Sequence, residues 1–313
     1  MSAVMTTKEH LLKWLRHKVV FPALALLPSA LGYRLANLIG RLDARRHGLR
    51  LAVGQGMSAL FPDLAQDPLR LQTLLLNYYQ MMARDMLDCF LMPGFTPAKV
   101  AGQIRVHGVE NLLDAKAAGR GVLMIISHFG RFFMLGPGLK FAGVEFGMFT
   151  TMVDERHPHY DAIDRWYIAT KLQNTQLFSR GTWVTTGDDG RRLYRTLQAG
   201  EIMLFALDGN ESTSGARVEF PFCGGTLSLP EGLVRVAAKT GAKLVYAEAV
   251  DRGIEVDITL HPLPDDPVDG VAAAVGLLEK RLAAVPWQWW QWAGVGALWR
   301  PAVVGAAGES QCT

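Results

Sequence analysis

Apolar residues fall into two textures along the chain, and the change comes near residue 100. Before it they recur at helical spacing: Leu35, Leu38, Ile39 and Leu42 place an apolar face on a helix within 34–60. A second helix is predicted over 68–91, opened by Asp67 as N-cap with Pro68 at the first helical position. Met81, Met82, Met86 and Leu87 lie within it, a pattern that suits core packing better than contact with lipid. Pro93 and Gly94 close the helical region.

Beyond residue 100 the runs become short and continuous. LLDAKAAG, following VEN at 109–111, predicts a short helix ending at Gly119. GVLMIIS (121–127), IMLFAL (202–207) and KLVYAEAV (243–250) suit strands buried on both faces. Helical patterns at 188–199 and 230–240 lie between them. This alternation predicts an α/β fold, a mainly parallel sheet flanked by helices, with an N-terminal helical layer. Right-handed crossovers gather the strand ends on one edge, where α/β sites form. The reading divides the chain into a helical, membrane-associating region (1–100), an α/β domain (101–300) and a tail (301–313).

Charge sharpens the view of the N-terminus. Residues 1–50 hold nine Lys or Arg against Glu9 and Asp43, or +7, within a total of +3, so the rest sums to −4. A basic, apolar front end predicts attraction to an anionic membrane surface. The body carries no basic stripe interleaved with aromatics, which argues against nucleic acid as a partner. Within the front end, VVFPALALLPSALGY (19–33) is preceded by Lys13, Arg16 and Lys18 but broken by Pro22 and Pro28. Two readings stay open, a buried or interfacial amphipathic helix pair and a membrane span; either keeps the body on the cytoplasmic side. The expected location is the cytoplasmic face of a cell inner membrane. Cys89, Cys223 and Cys312 are isolated and without metal-ligand spacing, so they read as reduced thiols.

The candidate chemistry sits at 121–136, GVLMIISHFGRFFMLG. His128 stands where the apolar run stops, at the mouth of the sheet, and Gly130 lets the backbone turn so that the imidazole points into a cleft. Here the chain resembles the lysophospholipid acyltransferase superfamily, and within it the lipid A biosynthesis (lauroyl/myristoyl) acyltransferases. Their mark is His, four residues, then Asp or Glu, commonly HFGNWE; His128, Phe129 and Gly130 keep the HFG. Arg156, His157 and Pro158 are similar to the family's Arg-Lys-Pro segment. Asp208, Phe220, Phe222, Gly224, Gly225 and Thr226 follow the family's order, as does PWQW at 286–289. The similarity covers about 105–292 as an ordered set of individually weak motifs.

The resemblance implies an acyltransferase that moves a fatty acyl chain from an acyl-carrier-protein or CoA thioester to a hydroxyl or amine. His128 would serve as general base, with the thioester as co-substrate and no cofactor or metal. A hydroxyl is a poor nucleophile until its proton is removed, and a placed base contributes about 10²–10⁴-fold. The rival expectation is a catalytically silent relative that binds an acyl chain or carrier protein. Position 133, where the family has its acid, is Phe. Asp208, Asp154 and Glu155 are the candidate substitutes, and action by His128 alone is the other possibility. Asp208 is also readable as a turn cap for GNES (209–212). The candidate site therefore comprises His128 and Asp208 as catalytic groups, with Gly130, Arg131, Arg156 and Arg180 toward substrate; backbone N–H groups of the turn are candidate oxyanion donors. Trp287, Trp289, Trp290 and Trp292 suit either a membrane interface or the core edge. AGVGAL follows them where the family has basic residues, which sets a phosphorylated saccharide acceptor in question.

Overall fold

The computed structural model describes residues 7–155, 160–209 and 215–302. Arg156, His157 and Pro158, most of GNES, and the tail beyond 302 with Cys312 lie outside the described residues. The N-terminal third comprises α1 (Thr7–Leu15), a π-helical turn (Arg16–Val20), α2 (Phe21–Ala25), α3 (Ser29–Arg46), α4 (Arg50–Leu60), α5 (Pro68–Leu91) and α6 (Pro97–Ala101). Helix α5 starts as its sequence predicts, with the Asp67 carboxylate accepting the Arg70 N–H at 3.0 Å. The apolar run at 19–33 is cut after α2, where Pro28 cannot continue a helix. Among the described residues no helix is long and apolar enough to cross a membrane.

The helical spacing over 34–60 is realised in two helices, α3 and α4, separated at 47–49, and α3 buries its small residues. Gly32, Ala36, Gly40 and Ala44 face inward, and a Cβ on Gly40 would stand 2.5 Å from the Gln80 Cα of α5. Small residues let two helices approach closely, so this face wins the packing contest. Leu31, Leu38 and Leu42 are left outward at 43%, 53% and 48% exposure. Met81 and Leu87 of α5 are fully buried, in keeping with core packing.

The remaining chain runs β1 (Ile104–His107), α7 (Val109–Ala117), β2 (Val122–Ile126), α8 (Leu135–Phe141), β3 (Gly147–Thr150), α9 (Ala162–Gln176), β4 (Trp183–Thr185), α10 (Arg191–Gln198) and β5 (Ile202–Ala206). It continues through β6 (Arg217–Phe222), β7 (Gly225–Pro230), α11 (Gly232–Thr240), β8 (Lys243–Arg252), β9 (Glu255–Pro262), α12 (Pro267–Ala284) and β10 (Trp299–Pro301). The main sheet has the order β1-β9-β8-β2-β5-β3-β4. Strands β8, β2, β5, β3 and β4 are parallel; β9 runs antiparallel to β8 and parallel to β1. The fold is thus the predicted helix-flanked, mainly parallel sheet. A small antiparallel sheet, β10-β7-β6, is added to it.

Strand β2 is the centre of this arrangement. Every residue of it is buried, with Leu123 and Ile125 in one hydrophobic cluster and Val122, Met124 and Ile126 in the other. Continuous apolarity is therefore what a strand covered on both faces requires. Of the tryptophans, Trp289 and Trp292 are fully buried and belong to the core, while Trp287 and Trp290 are half-buried at its edge.

Two glycines test the packing argument. Alanine at a helical glycine normally stabilises by about 0.5–1 kcal/mol. Gly276→Ala in α12, where a Cβ meets nothing within 4 Å, is expected to show that gain in urea denaturation. Gly40→Ala is expected to lose about 1–3 kcal/mol, because the new methyl meets backbone that cannot swing aside.

Candidate active site

Register brings the two key side chains together. Ile126 of β2 lies opposite Ala206 of β5, and the Leu207 N–H continues the pairing to the Ile126 carbonyl at 2.7 Å. Two residues past each strand, His128 and Asp208 emerge side by side on the carboxyl edge of the sheet. The His128 Nδ1 is 2.8 Å from Asp208 Oδ1, and the His128 backbone N–H donates to the same oxygen at 2.9 Å. Asp208 Oδ2 accepts the Trp289 indole N–H at 2.7 Å. The Asp208 carboxylate is completely buried, whereas the His128 side chain is 29% exposed. Burial pushes the Asp208 carboxyl up, but the imidazole, its backbone N–H and the indole outweigh it and hold the group below the usual carboxylate range.

This polarity assigns the ring's roles. The carboxylate accepts from Nδ1–H, so Nε2 is the nitrogen able to take up a proton. The Phe132 ring stands edge-on to the imidazole at 5.1 Å between centroids, fixing its plane from the other side. Of the three candidate substitutes for the missing acid, Asp208 is the one bonded to the ring.

The turn itself is sewn to a segment about 160 residues further on. Gly130 N–H donates to the Gln288 carbonyl (2.8 Å), Trp290 N–H to the His128 carbonyl (2.9 Å), and the Trp290 indole to the Gly130 carbonyl (2.8 Å). Gly130 has φ +58, and a Cβ there would stand 1.9 Å from the Ala249 carbonyl oxygen. Both of its backbone polar groups are occupied in holding the turn. The Phe129 N–H likewise bonds the Ser127 carbonyl at 2.7 Å. With His128 N–H on Asp208, the N–H groups of 128–130 are engaged internally.

Two arginines also depart from expectation. Arg131 is completely buried, between Asp88 (3.0 Å) and Asp251 (2.8 Å). Its remaining N–H groups reach the carbonyls of Gly253, Ile254 and Glu255 at 2.8–2.9 Å. A guanidinium so enclosed has nothing to offer a substrate. Arg180 precedes β4, at the amino edge of the parallel strands, opposite His128. It is 76% exposed, beside Glu145 at 3.4 Å, on a cavity of about 410 Å³ shared with Lys116, Thr182 and Glu201. Arg156 lies outside the described residues. Phe133, at the family's acid position, lies over a buried cation: Lys171 Nζ is 4.0 Å from its ring centroid and pairs with Asp85. Among the described residues no cluster of His, Cys, Asp or Glu is arranged to hold a metal.

Trp289 and Gln288 are the site residues that sequence reasoning missed. The signal was present in PWQW, noticed as a resemblance, but its contact with the turn spans too much chain for any local pattern to show.

The parallel sheet thus presents, at its carboxyl edge, a half-open imidazole held by a buried carboxylate. The chain belongs to the bacterial lipid A biosynthesis acyltransferase family, whose sequence profile matches residues 3–290, and it is an acyltransferase. It is similar to the phosphatidylinositol mannoside acyltransferase of Mycolicibacterium smegmatis, 24% identical over 258 residues, which covers 81% of this chain and 77% of that protein.

The indole–carboxylate bond has a measurable signature. Trp289→Phe should cost about 1.5–3 kcal/mol near neutral pH, the range for a hydrogen bond to a charged group. Because the Asp208 carboxyl is depressed in the fold, its contribution is present above about pH 4, the unfolded carboxylate value, and is lost as pH falls through the lower folded value. The deficit of the variant in denaturant titrations is therefore expected to shrink on acidification.

Proposed function

We propose that this acyltransferase moves a fatty acyl group from an acyl-carrier-protein or CoA thioester to a hydroxyl or amine of a lipid-like acceptor, with His128 as general base. One observation carries the reading: a half-exposed imidazole whose Nδ1 is held at 2.8 Å by a buried carboxylate. Nε2 accepts the proton of the acceptor as its O or N forms a bond to the thioester carbonyl carbon. The C–S bond then breaks, and the proton passes from the imidazolium to the leaving thiolate. Asp208 keeps Nε2 the basic nitrogen and stabilises the imidazolium while it exists. No cofactor enters this sequence. The lipid-like acceptor is supported by the family and by the name of the mycobacterial relative.

A membrane surface fits the outer face of the N-terminal layer. Leu31, Leu38 and Leu42 form an outward stripe on α3, with Leu35 half-buried between them. Exposed Arg34, Arg41 and Arg45 flank the stripe, and Leu11, Leu12 and Leu26 add exposed apolar area on the preceding segments. Apolar groups rimmed by arginine suit an interfacial helix on anionic lipid. We propose the cytoplasmic face of the inner membrane as that surface.

His128→Ala is expected to lower acyl transfer from a thioester about 10²–10⁴-fold. Asp208→Asn should lower kcat with little change in KM, and Phe133→Glu should not restore either variant, because that position faces Lys171. Transfer that survives the loss of His128 would refute the assignment. Leu38→Glu with Leu42→Glu should abolish sedimentation with vesicles containing phosphatidylglycerol, while leaving the melting temperature nearly unchanged. Unaltered sedimentation would remove the membrane face.

A further inference from the structure

The N-terminal layer contains charges that neither the proposed chemistry nor the membrane face uses. Arg84 and Asp88, one turn apart on α5, project inward and meet Asp251 and Arg131. Arg131 lies between Asp88 and Asp251, and Arg84 pairs with Asp251 through two nitrogens. The Tyr33 hydroxyl donates to Asp88 at 2.6 Å and the Arg84 guanidinium to Asn37, which ties in α3. All four charged side chains are buried, two positive and two negative.

Such a quartet is a poor device for stability alone. Removing four ions from water is costly, and apolar side chains of equal volume commonly stabilise as well or better. Forked, directional bonds instead fix positions. The question is what they fix, and the network ends on the catalytic turn by two routes. Arg131 is itself three residues after His128. Asp251 exchanges both of its backbone groups with the Gln288 side-chain amide, at 2.7 and 3.0 Å. The Gln288 carbonyl then takes the Gly130 N–H, and the next two residues bond Asp208 and the His128 carbonyl.

We infer that Arg131 and Gln288 are positioning residues: through the Arg84–Asp88–Asp251 network they hold the His128 turn against Asp208, making helices α3 and α5 part of the catalytic apparatus. The assignment rests on the acyl-transfer reading above for its kinetic test but not for its chemical one. Burial opposes the charge on Arg131, yet Asp88 and Asp251 outweigh it and raise its pKa, so the guanidinium stays charged.

The experiment is a double-mutant cycle of Arg131→Lys with Asp208→Asn, in the full chain. Lysine keeps the charge but cannot fork to the Asp88 carboxylate and three carbonyls while lying beside Asp251. In the parent, Arg131→Lys is expected to lower kcat about 10- to 100-fold through misplacement of the base, with KM for the thioester nearly unchanged. In the Asp208→Asn background the further loss should be under about 3-fold, since the alignment it protects is already gone. The rate at which diethyl pyrocarbonate modifies His128, followed on its peptide by mass spectrometry, should rise several-fold in Arg131→Lys. Multiplicative losses in kcat, or an unchanged modification rate, would overturn the inference and leave the quartet a stability element. Should Arg131→Lys fail to fold, Gln288→Met carries the same cycle with all four charges left in place. Because reagent modification needs no substrate, a failure here is distinct from a failure of His128 as base, which shows only as transfer surviving His128→Ala.

Discussion

A carboxylate shut away from water must find all its compensation in neighbouring donors, and Asp208 sets that condition for the centre of this molecule. Its two oxygens accept from the imidazole, the His128 backbone and the Trp289 indole. Those donors come from two pieces of chain distant in sequence, so satisfying one buried charge draws the turn after β2 and the segment after α12 to the end of β5. Left without these bonds, the buried group would cost several kcal/mol or take up a proton. The same bonds orient the imidazole, so the condition for burying the charge and the condition for using the ring are one geometry.

Seen this way, the departures from the family's usual motif are a redistribution of tasks. The carboxylate on the imidazole comes from the next parallel strand in the sheet instead of the helix after the turn. Parallel pairing makes this possible because residues at equal distance past neighbouring strand ends lie side by side. Position 133, relieved of the acid, is an aromatic face over Lys171. A carboxylate there would be placed against that lysine, which already has Asp85 as its partner. Position 131, commonly Asn in the family, is an arginine buried between Asp88 of the helical layer and Asp251.

What could be read from the sequence follows from the range of the interactions. Strands β2, β5 and β8 were legible because burial on both faces leaves a continuous apolar run. His128 and Asp208 were legible as polar residues standing just past two such runs. Strand β4 is three residues long, and without it the edge on which Arg180 sits cannot be assigned. Arg131 was misjudged because a charge beside a histidine looks the same in sequence whether its partners are solvent or Asp88, 43 residues earlier. The spacing of the α3 leucines identified a helix and a stripe without telling which of two faces the neighbour prefers. Gly32, Ala36, Gly40 and Ala44 decided it by allowing the closer approach.

That choice of face bears on how the helical layer works. Helix α3 presents Tyr33 and Asn37 inward to the charged network and Leu31, Leu38 and Leu42 outward. A single helix, one diameter of about 10–12 Å across, therefore separates the proposed lipid-facing stripe from the charges that reach the catalytic turn. An enzyme that acylates a lipid-like acceptor must hold its base at a fixed height above the surface from which that acceptor is drawn. Flexible linkage between a membrane-binding element and a separate catalytic domain would leave that height undetermined. On the proposed membrane-bound reading, close-packed glycines on α3 and directional ion pairs on α5 join the two and fix that height, a task for buried charge that a layer of plain hydrocarbon would not perform.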